Sequence, residues 1–166
     1  SISNLITFKG KQFQSNDLLV HNDELVAATN GSGVLFFKNK KVVFTLDESN
    51  GLKSNNVKQI DIQNNILYIL SYEGFQIFDL DERRFIHIGT TEGVMVKDIT
   101  KFSVATDKVW FIEKHNYYYV DIDNLLGLSG KQTISTLYMD SLNVNSTKKS
   151  LDDYCLLYTS PSPRDH

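Results

Sequence analysis

Asn50-Gly51-Leu52-Lys53-Ser54-Asn55-Asn56-Val57-Lys58-Gln59-Ile60 runs on into Asn65-Ile66-Leu67-Tyr68-Ile69-Leu70 and Gly74-Phe75-Gln76-Ile77-Phe78-Asp79. Its apolar runs are short, rich in Ile, Leu, Phe and Tyr, and ended by Asn, Asp or Gly, as strands joined by tight turns require. The stretch recurs. Gly51-Leu52 returns 42 residues later as Gly93-Val94, and in that register Val57 falls on Ile99, Ile60 on Phe102, Ile62 on Val104, Leu67 on Val109 and Tyr68 on Trp110. Shifted 42 residues the other way, Ile60 falls on Leu18, Ile62 on Val20, Asn64 on Asn22 and Leu67 on Leu25. Gly74 meets Gly33 after a one-residue slip.

The same reading applied to the rest of the chain predicts strands near 17–21, 24–29, 33–38 and 42–46, then 56–62, 66–71, 74–79 and 84–88, then 98–104, 108–113 and 117–122. Helical periodicity is absent, and both prolines lie in the last six residues. Four short strands per unit of about 42 residues is the period of a β-propeller blade. Helical repeats are excluded by the strand-type composition, and a two-sheet sandwich supplies no register-locked repeat. The expected fold class is therefore all-β: a partial β-propeller of about three four-stranded antiparallel blades. Blades pack face to face, so a middle strand is buried on both sides and reads as a near-continuous apolar run. Tyr68 and Trp110, which share a repeat position, are accordingly expected to be packing residues between blades.

The stretch 50–60 and the two strands after it resemble the repeat of the two-component regulator propellers, in which a Gly-Leu, a short polar link with Asn and an apolar strand lead into a Leu-Trp or Leu-Tyr strand. The third copy keeps Val109-Trp110-Phe111-Ile112 and Tyr117-Tyr118-Tyr119-Val120-Asp121, but has Asn116 where Gly is usual and no clear fourth strand after Asp123. The resemblance covers roughly residues 15–125. Beyond a linker at 123–131, the alternating run from Thr133 to Asn145 resembles the opening of the Tyr-rich β-sandwich that follows such propellers. The expected domains are thus 1–125, propeller blades; 132–153, the start of a β-sandwich; and 154–166, a non-native or disordered tail. The tail, from Tyr154 to Ser160-Pro161-Ser162-Pro163-Arg164-Asp165-His166, departs from the composition of everything before it and resembles translated adapter read-through. The absence of an initiator Met or signal-type segment at Ser1-Ile2-Ser3 fits either a processed protein or an internal fragment.

Composition sets limits on function. Hydrophobic residues make up 41% and charged residues 22% of the 166, which excludes wholesale disorder. The net charge of -3, with both signs interspersed, offers no basic face to a nucleic acid or membrane surface. No apolar run approaches the roughly 18 residues of a spanning helix, so any membrane attachment is expected through missing downstream regions only. The single cysteine, Cys155, forms no intrachain disulfide.

No Walker loop, dinucleotide fingerprint, zinc spacing or nucleophile elbow is present, so no catalytic residue, metal ligand or cofactor is assigned. His21, His87, His115 and His166 are scattered. Asp79, Asp81 and Glu82 cluster at a predicted turn that lacks the alternating oxygen ligands and Gly of a calcium loop, and read as a solvated turn. In an up-and-down blade the loops between second and third strands share a rim with the connections between blades. That rim carries 29–32, 71–73 and 113–116 together with 49–55 and 91–97; the opposite rim carries the turns at 22–23, 64–65 and 79–83, read as structural punctuation. Loops on a rigid scaffold are where binding usually resides. The candidate ligand-binding residues are Tyr72, Glu73, Lys114, His115, Lys53 and Lys97, which mix an aromatic ring with hydrogen-bonding and charged groups.

The resemblance implies a ligand-sensing segment of a two-component-type signal transduction regulator. Such a segment is periplasmic, responds to an oligosaccharide or its breakdown products, and forms a homodimer in the intact protein. It makes no nucleic-acid contact of its own, and the parent chain would carry a histidine kinase or a DNA-binding module. Two other readings stay open: a fragment of a propeller enzyme acting on polysaccharides, for which Glu73, Glu113 and His115 are the available rim groups, and a protein-interaction scaffold.

Overall fold

The computed structural model describes residues 7–8, 10–86, 99–126 and 138–140. The chain divides into two compact units, Ser1–Phe85 and Ile86–His166. In the first, a two-residue hairpin, β1 (Thr7–Phe8) and β2 (Lys11–Gln12), precedes two four-stranded sheets. Strands β3 (Ser15–His21), β4 (Glu24–Thr29), β5 (Val34–Lys38) and β6 (Lys41–Leu46) form one antiparallel meander; β7 (Val57–Gln63), β8 (Ile66–Ser71), β9 (Gly74–Asp79) and β10 (Arg84–Ile86) form the next. In the second unit β11 (Lys101–Val104), β12 (Lys108–Glu113) and β13 (Asn116–Asp121) repeat the pattern, and one helical turn, Ile122–Leu125, follows. The fold is all-β, built of three four-stranded antiparallel sheets in chain order.

The fourth strand of the last sheet is β14 (Tyr138–Asp140), which pairs Tyr117 with Asp140, Tyr118 with Met139 and Tyr119 with Tyr138. The sequence reading gave this sheet no clear fourth strand and assigned these three residues to the following β-sandwich. Their alternation suits either sheet, and pairing, which sequence does not show, decides in favour of the third. The rest of 132–153, the tail 154–166 and His87 lie outside the described residues.

The turns follow from residue chemistry. Asn22-Asp23, Asn39-Lys40 and Asn64-Asn65 all have both central residues at positive φ, between 47° and 65°, the two-residue geometry that matches strand twist and that Asn and Asp tolerate best. The 42-residue repeat is visible in side-chain bonding. Thr29 Oγ1 donates to the carbonyl of Gly33 at 2.7 Å and accepts from Ser32 N at 3.0 Å. Ser71 Oγ, 42 positions on, donates to the carbonyl of Gly74 and accepts from Glu73 N, both at 3.2 Å. Both hydroxyls are buried and satisfied. The first strands of the two sheets, β3 and β7, also share a register shift at the same repeat position, around Asn16 and around Lys58.

The core of the first unit lies between its two sheets. Val26, Ala28, Val34, Phe36 and Leu46 of the first meet Val57, Ile60, Leu67, Ile69 and Phe78 of the second, and Leu19, Phe44, Ile62, Leu80 and Phe85 close the margin. On the other side of the first sheet Ala27, Leu35 and Phe37 are also buried, with Phe13 stacked on Phe37 at 5.3 Å. Middle strands β4 and β8 are therefore buried on both faces, as expected. Tyr68 is buried and stacks on Phe75. Trp110 is not enclosed in the same way: β12 buries Val109 and Phe111 on one face and leaves Trp110 half-buried on the other, against Tyr119 at 4.7 Å.

The first sheet departs from its repeat equivalent in one respect. Ile60 is only 4% exposed, yet Leu18, its counterpart, is 55% exposed, and Val20, the counterpart of Ile62, is 76% exposed. Ile60 and Ile62 pack on the sheet that precedes theirs in the chain.

Candidate functional site

In the first unit the turns expected to share a rim do so. The connection between the sheets, residues 47–56, is hydrogen-bonded to both. The Asn55 carbonyl accepts from Gly31 N at 3.0 Å and Gly33 N at 2.9 Å, and the Asn56 carbonyl accepts from Tyr72 N at 3.1 Å. The connection is also locked within itself. Asp47 caps the short 3-10 turn Glu48–Asn50, Asn50 Nδ2 donates to the Thr45 carbonyl at 2.7 Å, and the Glu48 and Asn55 side chains each bond the other's backbone N–H. Gly51 sits at φ +114°, and a Cβ there would stand 3.0 Å from the Phe85 ring. Gln76 clamps the segment on both sides: its Oε1 accepts from Lys53 N at 2.8 Å and its Nε2 donates to the Gly51 carbonyl at 3.0 Å.

On this fixed base Tyr72 stands 56% exposed, with the Lys58 ammonium 4.6 Å from its ring centroid. Glu73 follows it in the turn and Lys53 is exposed on the clamped connection. Lys114, at φ 51°, and His115 form the corresponding exposed turn of the second unit, between the paired residues Glu113 and Asn116. Lys97 lies outside the described residues. The structure thus gathers Lys53, Tyr72 and Glu73 on one rim and adds Lys58, which sequence reasoning did not single out. A register shift on a sheet's first strand has no signature in composition. The acidic groups Asp47 and Glu48 of this rim are engaged with the backbone of the connection, so the rim offers a stacking and hydrogen-bonding surface rather than a carboxylate pair.

At the opposite rim of the same unit a cavity of about 170 Å³ opens between the two sheets. Phe36, Phe44 and Leu80 form its apolar base, and the turns supply a polar wall: His21, Asn22 and Glu24 from the first sheet, Asn65, Asp81 and Arg83 from the second. Arg83 lays its guanidinium over the Phe44 ring at 4.3 Å, and Asn65 Nδ2 donates to Asp81 Oδ1 at 3.2 Å. Asp79 Oδ1 accepts from Asp81 N and Glu82 N, the role of a turn cap. The sequence marks these residues as punctuation, which they are. That they also wall a cavity depends on how two sheets meet.

One carboxyl of β7 is perturbed. Burial raises the pKa of Asp61 above its usual 3.8, the bond from Ile62 N pulls it back, and the nearby Asp17 carboxylate adds to the rise. Tyr68, its cross-strand partner, is raised by burial and then by the Asp61 charge. Among the described residues no three His, Cys, Asp or Glu side chains are grouped to hold a metal ion, and no helix is long and apolar enough to cross a membrane.

No family model matches the sequence, and no curated protein matches it. Solved structures do. The extracellular domain assigned to the hybrid two-component system BT4673 of B. thetaiotaomicron superposes with a TM-score of 0.61 at 13% identity, over 79% of this chain and 18% of that one. That of BT3049 from the same organism gives 0.55 at 12% identity, over 85% and 24%. The computationally designed protein Ika4 gives 0.57 at 14% identity, over 86% of this chain and 80% of that one. The likeness is one of fold. The chain spans about a fifth of the length of the BT4673 domain.

Proposed function

We propose that the chain is a ligand-sensing β-propeller segment of a two-component-type signal transduction regulator, held outside the cytoplasmic membrane and responsive to a glycan. The observation that carries this reading is the repeated four-stranded sheet whose turns and connections are hydrogen-bonded into one rigid rim presenting Tyr72. An aromatic ring beside Lys58, Glu73 and Lys53 suits a sugar, whose faces are apolar and whose edges are polar. The fold shared with extracellular domains of two-component systems supports the same reading. Leu18 and Val20 support a continuing array: their repeat equivalents pack on a preceding sheet, so a further blade before the first would bury them.

The intact regulator binds an oligosaccharide at this rim and works as a homodimer. The test is an oligosaccharide array probed with the intact sensor and with its Tyr72→Ala and Lys53→Ala variants. Loss of the bound sugars in both variants, with an exposed change such as Lys40→Ala as control, supports the assignment. Unchanged binding in both variants refutes the rim as the sensing surface.

A further inference from the structure

We infer that the cavity between the first two sheets, at the end of the unit away from Tyr72, is a second binding site, and that it takes a single neutral pyranose ring. The inference is independent of the Tyr72 rim. Its volume, about 170 Å³, is below the roughly 300–1,000 Å³ of pockets for drug-sized ligands, which limits the occupant to one ring.

The wall chemistry selects the kind of ring. Glu24 and Asp81 are acceptor-only when ionised, and Arg83 is donor-only. A carboxylate or phosphate ligand would face the two acids, and an ammonium would face the guanidinium. A hydroxyl donates and accepts at once, so adjacent hydroxyls of one ring can give protons to Glu24 and Asp81 while taking one from Arg83. Asp81 has one oxygen engaged by Asn65, and a carboxylate retains further acceptor sites. The apolar base matches the C–H face of a pyranose. Phe36, Phe44 and Leu80 stand under the polar wall, with the Arg83 guanidinium 4.3 Å over the centre of the Phe44 ring.

The wall is also fixed in advance. Asn22, Asn65 and Arg83 are all held at positive φ, 47°, 58° and 56°, and the Asp79 cap holds the turn that carries Asp81 and Arg83. A site whose donors are already oriented loses less entropy when it binds.

The experiment is an amide-resolved NMR titration of the full chain with methyl β-D-glucopyranoside and methyl β-D-galactopyranoside, with ethanolamine and cyclohexanol as comparison probes. The expected result is saturable shifts at Asn22, Glu24, Asn65, Asp81 and Arg83 with at least one pyranoside, and none there with cyclohexanol or ethanolamine. The near-isosteric Asp81→Asn should weaken that binding about tenfold, the loss of charge assistance in one hydrogen bond. Lys101→Ala, an exposed change outside both sites, should leave it unchanged. Shifts confined to Tyr72 and Glu73 would refute this site while sparing the sensing reading. Shifts at the cavity with ethanolamine but neither pyranoside would show an amine site instead, and the absence of shifts with either pyranoside would show a cavity filled only by solvent.

Discussion

The carboxylate of Asp17 accepts the backbone N–H of Ile60 at 3.0 Å. The first strands of successive sheets are joined here by a side chain, because neither strand can reach the other with its own ladder. Asn16 adds a second tie, its Nδ2 donating to the Val57 carbonyl at 2.8 Å. Asp17→Ala should therefore leave a part-buried N–H without its acceptor and cost about 1–3 kcal/mol in urea unfolding. The other Asp17 oxygen accepts from Leu18 N, so Asp17→Asn keeps one of the two acceptors and should recover part of the loss; equal losses in both variants would deny the bond its role.

Asp61 should make stability depend on pH in the less usual direction. Its folded pKa is raised, so the folded chain holds the proton more tightly than the unfolded chain does. The associated stability is fully present below the unfolded value near 3.8 and is lost as pH rises through the raised folded value. Asp61→Asn should be more stable than the parent at neutral pH, and the difference should shrink as acid protonates Asp61. A difference that is constant from pH 3 to pH 7 (a window set around the usual carboxyl range) would contradict this.

Two glycines separate close approach from conformation. Gly31 and Gly33 both have positive φ, but a Cβ on Gly31 meets nothing within 4 Å, whereas one on Gly33 would lie 2.0 Å from the Leu46 carbonyl oxygen. Gly31→Ala should cost about 1 kcal/mol through strain alone. Gly33→Ala must also push the first sheet's last strand aside and should cost several times more, on the order of 3 kcal/mol or above. Thermal melts of the pair decide it, and equal shifts would show that the Leu46 contact relaxes freely.

Leu18 and Val20 should govern self-association. Each would gain about 1.5–3 kcal/mol from full burial, and each is exposed at a position whose repeat equivalent is covered. Leu18→Ser with Val20→Thr should lower the association constant in sedimentation velocity without lowering the melting temperature. Ile60→Ser, at the equivalent covered position, should instead destabilise the fold.

The repeating fold was legible in the sequence because its determinants are local. The strands at 66–71, 74–79 and 108–113 are found with the boundaries that their apolar runs and Asn or Gly punctuation mark. The candidate site was legible only as topology: alternation of turns places Tyr72 and the connection on one rim. Its detail rests on pairs that sequence does not join, such as Gln76 with Gly51 and Lys53, 25 and 23 residues away. The cavity was missed for a related reason. Asn65, Asp81 and Arg83 have the composition of any solvated turn, and only the meeting of two sheets gives them a shared interior. The pairing of β14 with β13 was not legible, because alternation gives a strand its faces and not its neighbour.

Thr29 and Ser71 perform the same hydroxyl bonding 42 residues apart, which makes each copy of the turn complete within its own segment. Recombination in the strands or loops outside the turns would leave each such bond intact, and only a crossover between a hydroxyl and its glycine would separate them. The gene of such a protein can gain or lose whole sheets while the chemistry of each turn stays constant.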